Sequence, residues 1–193
     1  MKKKSTQPAL LKSKTRRGFV KRVGAAAAFT IVPRAVLGGA NYIAPSDRLN
    51  IAAVGAGGKG SSDIQNVAHE NIYAVCDIDD RRLSDTLQQE FAVPFRDKTK
   101  TYRDYREMLD SEPEIDAVLI STPDHMHAPI AMHAISLGKH VYVQKPLCHT
   151  VNECRVLAKA AEANNVVTQM GNQGHAGEGA RLINEWVASG ALG

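Results

Sequence analysis

The first 46 residues contain no aspartate or glutamate, although the chain has 20 acids against 24 Lys and Arg. Ten of the basic residues lie in that segment. The remainder holds fourteen basic and twenty acidic residues, a net charge of −6. The overall charge of +4 therefore belongs to the amino-terminal segment and gives no support to a nucleic-acid-binding domain. Cysteine is scarce. Cys76, Cys148 and Cys154 are odd in number and lack CxxC spacing, which excludes a disulfide framework and a zinc motif. Cys76 sits in an apolar run and is expected to pack as a small hydrophobe. No repeat or low-complexity tract appears beyond the alanines at 25–28. The mildly apolar stretch at 23–32 would span about 15 Å as helix, against about 30 Å for a bilayer core, so no permanent membrane span is expected.

What the amino-terminal segment does contain is the pattern of an export signal. Lys2, Lys3 and Lys4 open a basic region. Thr15-Arg16-Arg17-Gly18-Phe19-Val20-Lys21 resembles the twin-arginine motif. The apolar stretch, Pro33 and the small residues Gly38, Gly39 and Ala40 follow. Residues 1–40 are expected to be a signal peptide cleaved near Ala40, residues 41–48 a linker, and residues 49–193 a single dinucleotide-binding domain. The protein is then exported to the periplasm, with the twin-arginine machinery as a partner. A disordered basic arm or an uncleaved anchor are the alternatives.

Residues 49–77 carry the most information. An apolar run ends in Gly55-Ala56-Gly57-Gly58-Lys59-Gly60; a polar, helix-like stretch follows, then a second apolar run closed by Asp77. This order is the fingerprint of a nucleotide-binding βαβ unit. Gly55 lets the chain leave the strand, Gly57 admits a pyrophosphate to the backbone, and Gly60 lets the helix sit against the strand. The helix N-terminus offers unpaired N–H groups to phosphate. Asp77, twenty residues after Gly57, should accept hydrogen bonds from the adenosine ribose and disfavour a 2′-phosphate. NAD is expected, NADP less so. Arg81 and Arg82 lie close behind and would soften that preference unless they form a solvated helix face.

Short apolar runs continue to alternate with amphipathic stretches. Strands are expected at residues 50–54, 72–76, 99–102, 117–121, 140–144 and 166–170. Asp104 with Glu107, and Thr150 with Glu153, have capping-box spacing. Pro129 suits a first helical turn and Gly138 a helix stop. Val151, Cys154, Leu157 and Ala161 recur at helical spacing and are expected in the core. A last helix is expected near 178–189. The fold class is α/β, a Rossmann-type doubly wound parallel sheet with ligands at the carboxyl ends of the strands. Three polar loops fall there: residues 121–127, 144–146 and 171–175.

Five segments in this order resemble the Gfo/Idh/MocA family (glucose–fructose oxidoreductase, inositol dehydrogenase, rhizopine catabolism) over residues 47–193. They are residues 54–60, Cys76-Asp77-Ile78-Asp79, residues 102–109, Ser121-Thr122-Pro123-Asp124-His125-Met126-His127, and residues 138–147 ending in Gln144-Lys145-Pro146-Leu147. The resemblance implies that Thr122, Pro123 and His127 line the cofactor cleft, and that Lys145 sits near the nicotinamide and the substrate hydroxyl. It implies a cis bond before Pro146. The family triplet is usually Glu-Lys-Pro. Here Gln144 replaces the acid and keeps the capacity to hydrogen-bond a ribose or carboxamide. Relatives continue into a second α/β domain that supplies substrate contacts, the general acid/base and the usual oligomer interface. The chain is thus expected to be a fragment of a longer carbohydrate oxidoreductase, inactive alone, with homo-oligomers formed through that domain.

Within the chain, the expected catalytic residues are Lys145, which would orient or polarise a hydroxyl, and secondarily His175. His125, His127, His133, His140, His149 and His175 are not joined by Cys or carboxylate at ligand spacing, so no metal is expected. Three functions remain open: a carbohydrate oxidoreductase with tightly held NAD(H); a redox-neutral carbohydrate-cleaving enzyme that oxidises its sugar transiently; and a non-catalytic nucleotide-binding piece.

Overall fold

The structure, a computed structural model, describes residues 43–191; the signal peptide expected at residues 1–40 lies outside the described residues. Residues from Asp47 onward form one body. Six strands make a single parallel sheet: β1 (Asn50–Val54), β2 (Asn71–Cys76), β3 (Lys100–Tyr102), β4 (Ala117–Ile120), β5 (His140–Gln144) and β6 (Thr168–Gly171), in the order β3-β2-β1-β4-β5-β6. Helices connect them: α1 (Lys59–Asn66), α2 (Asp80–Leu87), α3 (Tyr105–Ser111), α4 (His127–Ser136) and α5 (Val151–Asn164). The short α6 (Gln173–Ala176) and α7 (Glu178–Ala188) follow the last strand.

The central strand shows why the run is uniformly apolar. Successive side chains of a strand point to opposite faces, and both faces of this sheet are covered. Ile51 and Ala53 join a core with Ile64 of α1, whereas Ala52 and Val54 join a second core with Met108, Ile130 and Leu157. All four strand residues are buried. Such two-sided burial is the normal state of a parallel sheet.

Local signals explain the helix ends. Thr150 and Glu153 form a complete capping box at α5. Gly138 ends α4 with φ +73°, a conformation a Cβ would strain. Asp104 caps α3 by accepting from Arg106 N–H, without the reciprocal bond from Glu107 that its spacing suggested. Two expectations are corrected. Val151 is 68% exposed, because it is the first residue of α5 and precedes the packed part of the helix face. The last strand starts at Thr168 rather than 166: Asn165 caps α5 in the left-handed region, φ +52°, and pairing with β5 begins at Thr168.

A polar cluster ties β2 and β3 together at the edge of the sheet. Buried Glu112, just after α3, accepts from Lys100 Nζ at 2.6 Å, Tyr102 OH at 2.5 Å and Tyr73 OH at 3.0 Å. These bonds, that of Lys100 first, hold the Glu112 carboxyl below the usual carboxylate range. The cluster fixes the sheet's β3 edge.

Candidate functional site

The carboxyl ends of the strands enclose a cleft of about 650 Å³, within the usual range for small-molecule sites. Its floor is Gly55 and Gly57. One wall is the end of β2, from Cys76 to Asp79, with Arg82. A second is Arg103 and Asp104 with the first residues of α3, Tyr105 and Arg106. The third is the loop after β4, with Ser121, Thr122, Pro123 and His125.

The glycine turn is shaped by close backbone approaches. Gly55 has φ +91°, donates to Cys76 O at 2.8 Å, and leaves no room for a side chain: a Cβ would lie 2.6 Å from Ser121 O. A Cβ on Gly60 would lie 1.9 Å from Gly55 O. Gly57 differs. Its Cβ would first meet the Arg82 side chain, 2.8 Å away at Cδ, and that side chain is 64% exposed. Gly58 precedes α1 without a side-chain cap, so no side chain competes for the first N–H groups of that helix.

Asp77 lies beside this turn. Its Oδ2 accepts from Ala56 N–H at 2.8 Å and its Oδ1 from Asp79 N–H at 2.9 Å. Each oxygen keeps a further lone pair for a ribose hydroxyl. Ala56 itself is wholly buried, and its carbonyl accepts from Thr86 Oγ1 at 2.8 Å. It therefore anchors the turn and does not line the cleft. Lys59 turns its ammonium to Asp63 Oδ1 at 2.7 Å and is likewise absent from the cleft wall.

The loop after β4 behaves in two ways. Thr122 and Pro123 line the cleft, and Thr122 Oγ1 is a buried hydroxyl with no partner among the described residues. His127 does not line it: it is 1% exposed, with Nε2 at 2.8 Å from Thr122 O and Nδ1 at 2.7 Å from Pro146 O. It staples the β4 loop to the β5 loop. The neighbour that faces the cleft is His125.

Gln144, Lys145 and His175 lie on the β5–β6 side, outside this cleft. Gln144 is buried and donates to Asp63 Oδ2 at 2.8 Å. Lys145 is exposed, follows Gln144 at the end of β5 and has a cis bond to Pro146; no ion pair or hydrogen bond engages its ammonium among the described residues. His175 is exposed on α6. The structure thus brings the turn, Asp77, Thr122 and Pro123 together, and holds Lys145 and His175 apart from them.

Charge in the cleft is balanced. Arg103 pairs with Asp80, Arg106 with Asp104, and Arg81 and Arg82 with Asp79. Arg82 reaches over the turn whereas Arg81 points to solvent. Cys76 is no nucleophile: burial first, then Asp104, Asp77 and Glu107, push its thiol up to about 12. Thr86 had no signal in the sequence, and Asp63 only its i,i+4 spacing from Lys59; Arg82 was expected to bear on cofactor preference, and His125 stood out only within the loop after β4 and among the histidines.

Residues 49–172 match a family described as "Oxidoreductase family, NAD-binding Rossmann fold". A glycosyl hydrolase family 109 protein of Shewanella pealeana is 28% identical over 92% of the chain and 43% of its own length. Among solved structures, myo-inositol 2-dehydrogenase from Lactobacillus plantarum superposes with TM-score 0.63 and 26% identity, covering 76% of this chain and 42% of that one. GenD2 from gentamicin A biosynthesis, in complex with NAD, gives 0.57 and 29%, covering 64% and 34%. The chain spans less than half the length of the curated relatives it matches.

Proposed function

Because the chain belongs to the Gfo/Idh/MocA family of NAD-binding oxidoreductases, we propose that it is the NAD-binding part of an exported enzyme that moves hydride between NAD and a hydroxyl-bearing carbon of a carbohydrate. The observation that carries this reading is the glycine turn, closed by backbone at Gly55 and Gly60, open at Gly58, and met at Gly57 first by the side chain of Arg82. Two further features fit a dinucleotide: the uncapped start of α1 and the partnerless hydroxyl of Thr122. When bound, NAD supplies the hydride acceptor and donor. The chain's own groups hold it. N–H groups at Gly57 and the first turn of α1 receive the diphosphate, Asp77 accepts from the adenosine ribose, and Thr122 Oγ1 gains the partner it lacks. The unpaired ammonium of Lys145 orients the substrate hydroxyl at the end of β5.

Export through a route for folded proteins suits an enzyme that carries its cofactor with it and restores it in each turnover. That consideration and the relatives named as glycosyl hydrolases favour a second reading in which sugar oxidation is transient and the overall reaction is redox-neutral. The full-length protein incubated with glycosides separates the two. Net NADH release supports the first; sugar release without net NADH supports the second; neither product, with NAD bound, leaves a binding function only.

The preference for NAD rests on Asp77, which disfavours a 2′-phosphate while Arg82 attracts one. Replacing Asp77 by Asn keeps the side-chain size and removes the charge. The ratio of NAD to NADP affinity, measured by calorimetry, is expected to fall about tenfold, equivalent to about 1.4 kcal/mol. An unchanged ratio would remove Asp77 from the specificity assignment.

A further inference from the structure

Asp63 is a carboxylate on α1, 6% exposed and remote in sequence from the loops it touches. Its Oδ1 pairs with Lys59 Nζ at 2.7 Å. Its Oδ2 accepts from Ser121 Oγ and from Gln144 Nε2, both at 2.8 Å. The three donors come from three elements: the first turn of α1, the end of β4 and the end of β5. A buried carboxylate is costly unless it is paired and fully hydrogen-bonded, and here three donors meet it beside the cofactor cleft. Ser121 lines that cleft and precedes Thr122. Gln144 precedes Lys145. Because Gln144 uses its amide nitrogen on Asp63, its orientation is fixed, and the amide lies against Gly171, where a Cβ would come within 2.8 Å of Oε1.

We propose that Asp63 is the positioning residue of the cofactor site, holding the β4 loop and the Lys145-bearing end of β5 at a set distance from the phosphate-binding start of α1. The assignment rests on the dinucleotide-binding reading. It also gives Lys59 a different role from phosphate binding: its charge compensates Asp63, and the diphosphate is left to backbone N–H groups. The site is then one rigid unit, with the glycine turn and the nicotinamide-side strand end coupled through a single side chain.

The charge arrangement makes the idea testable by exchange. Asp63→Asn leaves Lys59 unpaired and sets an amide against the Gln144 amide. Gln144→Glu sets two buried carboxylates against each other, beside the Lys59 ammonium already paired with Asp63 and the neutral Ser121 and Gly171. Asp63→Asn combined with Gln144→Glu restores one donor and one carboxylate. NAD affinity of the full chain is measured by calorimetry at 15 °C, below the melting point of each variant, from pH 5.5 to 8.5. Each single variant is expected to bind about tenfold or more weakly, the loss for a charge-assisted bond. The double variant is expected to recover to within about threefold of the parent. Gln144→Glu alone should improve as pH falls, since one of two adjacent carboxyls then takes up a proton. A pair that only stabilises the fold would shift the melting temperature and leave affinity unchanged, and that result would overturn the proposal. So would additive losses in the double variant. A parent chain that binds no NAD would instead overturn the cofactor reading, whatever Asp63 does.

Discussion

Gly60→Ala is expected to be the most disruptive single-methyl change in the domain. The added carbon would stand 1.9 Å from the carbonyl oxygen of Gly55, far inside van der Waals contact, and the obstacle is backbone. Gly55 cannot retreat. Its N–H bonds to Cys76 O at 2.8 Å, and on its other side Ser121 O leaves no free space. The strain must be taken by α1, whose Ile64 is fully buried against the sheet. Overpacking of this kind costs about 3 kcal/mol. For a domain of this size that lowers the melting temperature by roughly 10 °C. NAD affinity should fall with it, since displacing α1 displaces the N–H groups that meet the phosphates. Thermal unfolding followed by circular dichroism checks the first effect and calorimetry the second. A melting temperature within 2 °C of the parent at unchanged affinity would mean that α1 does not depend on this contact.

The parts of the fold that could be read in the sequence are those set by neighbours in the chain. β1 and β5 have the expected bounds, and β2 and β4 differ by one residue, because buried parallel strands are bare apolar runs between polar turns. The glycine turn and Asp77 follow from a local rule about φ, Cβ and spacing. β6 was displaced because it lies at the sheet edge, exposed in its first two residues, where apolar content is a weak guide. The functional side of the sequence reading had a different limit. Asp63 meets Ser121 across 58 positions and Gln144 across 81. Thr86 reaches Ala56 across 30. No periodicity marks such contacts. His127 shows the same limit from the other direction: its place in the loop after β4 was legible, but whether its ring faced the cleft or the β5 loop depended on Pro146 O being 2.7 Å away. Residues were therefore assigned to the cleft that support it from behind: Ala56, Lys59, His127 and Gln144.

Gly57→Val separates ligand binding from folding in a way that Gly60→Ala does not. At Gly57 the three atoms nearest an added Cβ all belong to the Arg82 side chain, at 2.8–3.2 Å. That side chain is 64% exposed and is held by Asp79 Oδ2 only at 3.9 Å, so it can swing aside at small cost. The folded state should tolerate the substitution, with a change of about 1 kcal/mol or less. The ligand has no such freedom. A diphosphate that approaches the turn must occupy the space the isopropyl group fills, and it would also lose its contact with the N–H groups at the start of α1. NAD affinity is expected to fall on the order of a hundredfold or more, about 2.7 kcal/mol. Calorimetry with the purified variant measures this directly, and its circular dichroism melting curve shows whether the fold survived. Loss of affinity with a parent-like melting temperature places the diphosphate over Gly57. Unchanged affinity would show that the cleft receives no diphosphate there, and the dinucleotide reading would fail at the residue on which it rests most heavily.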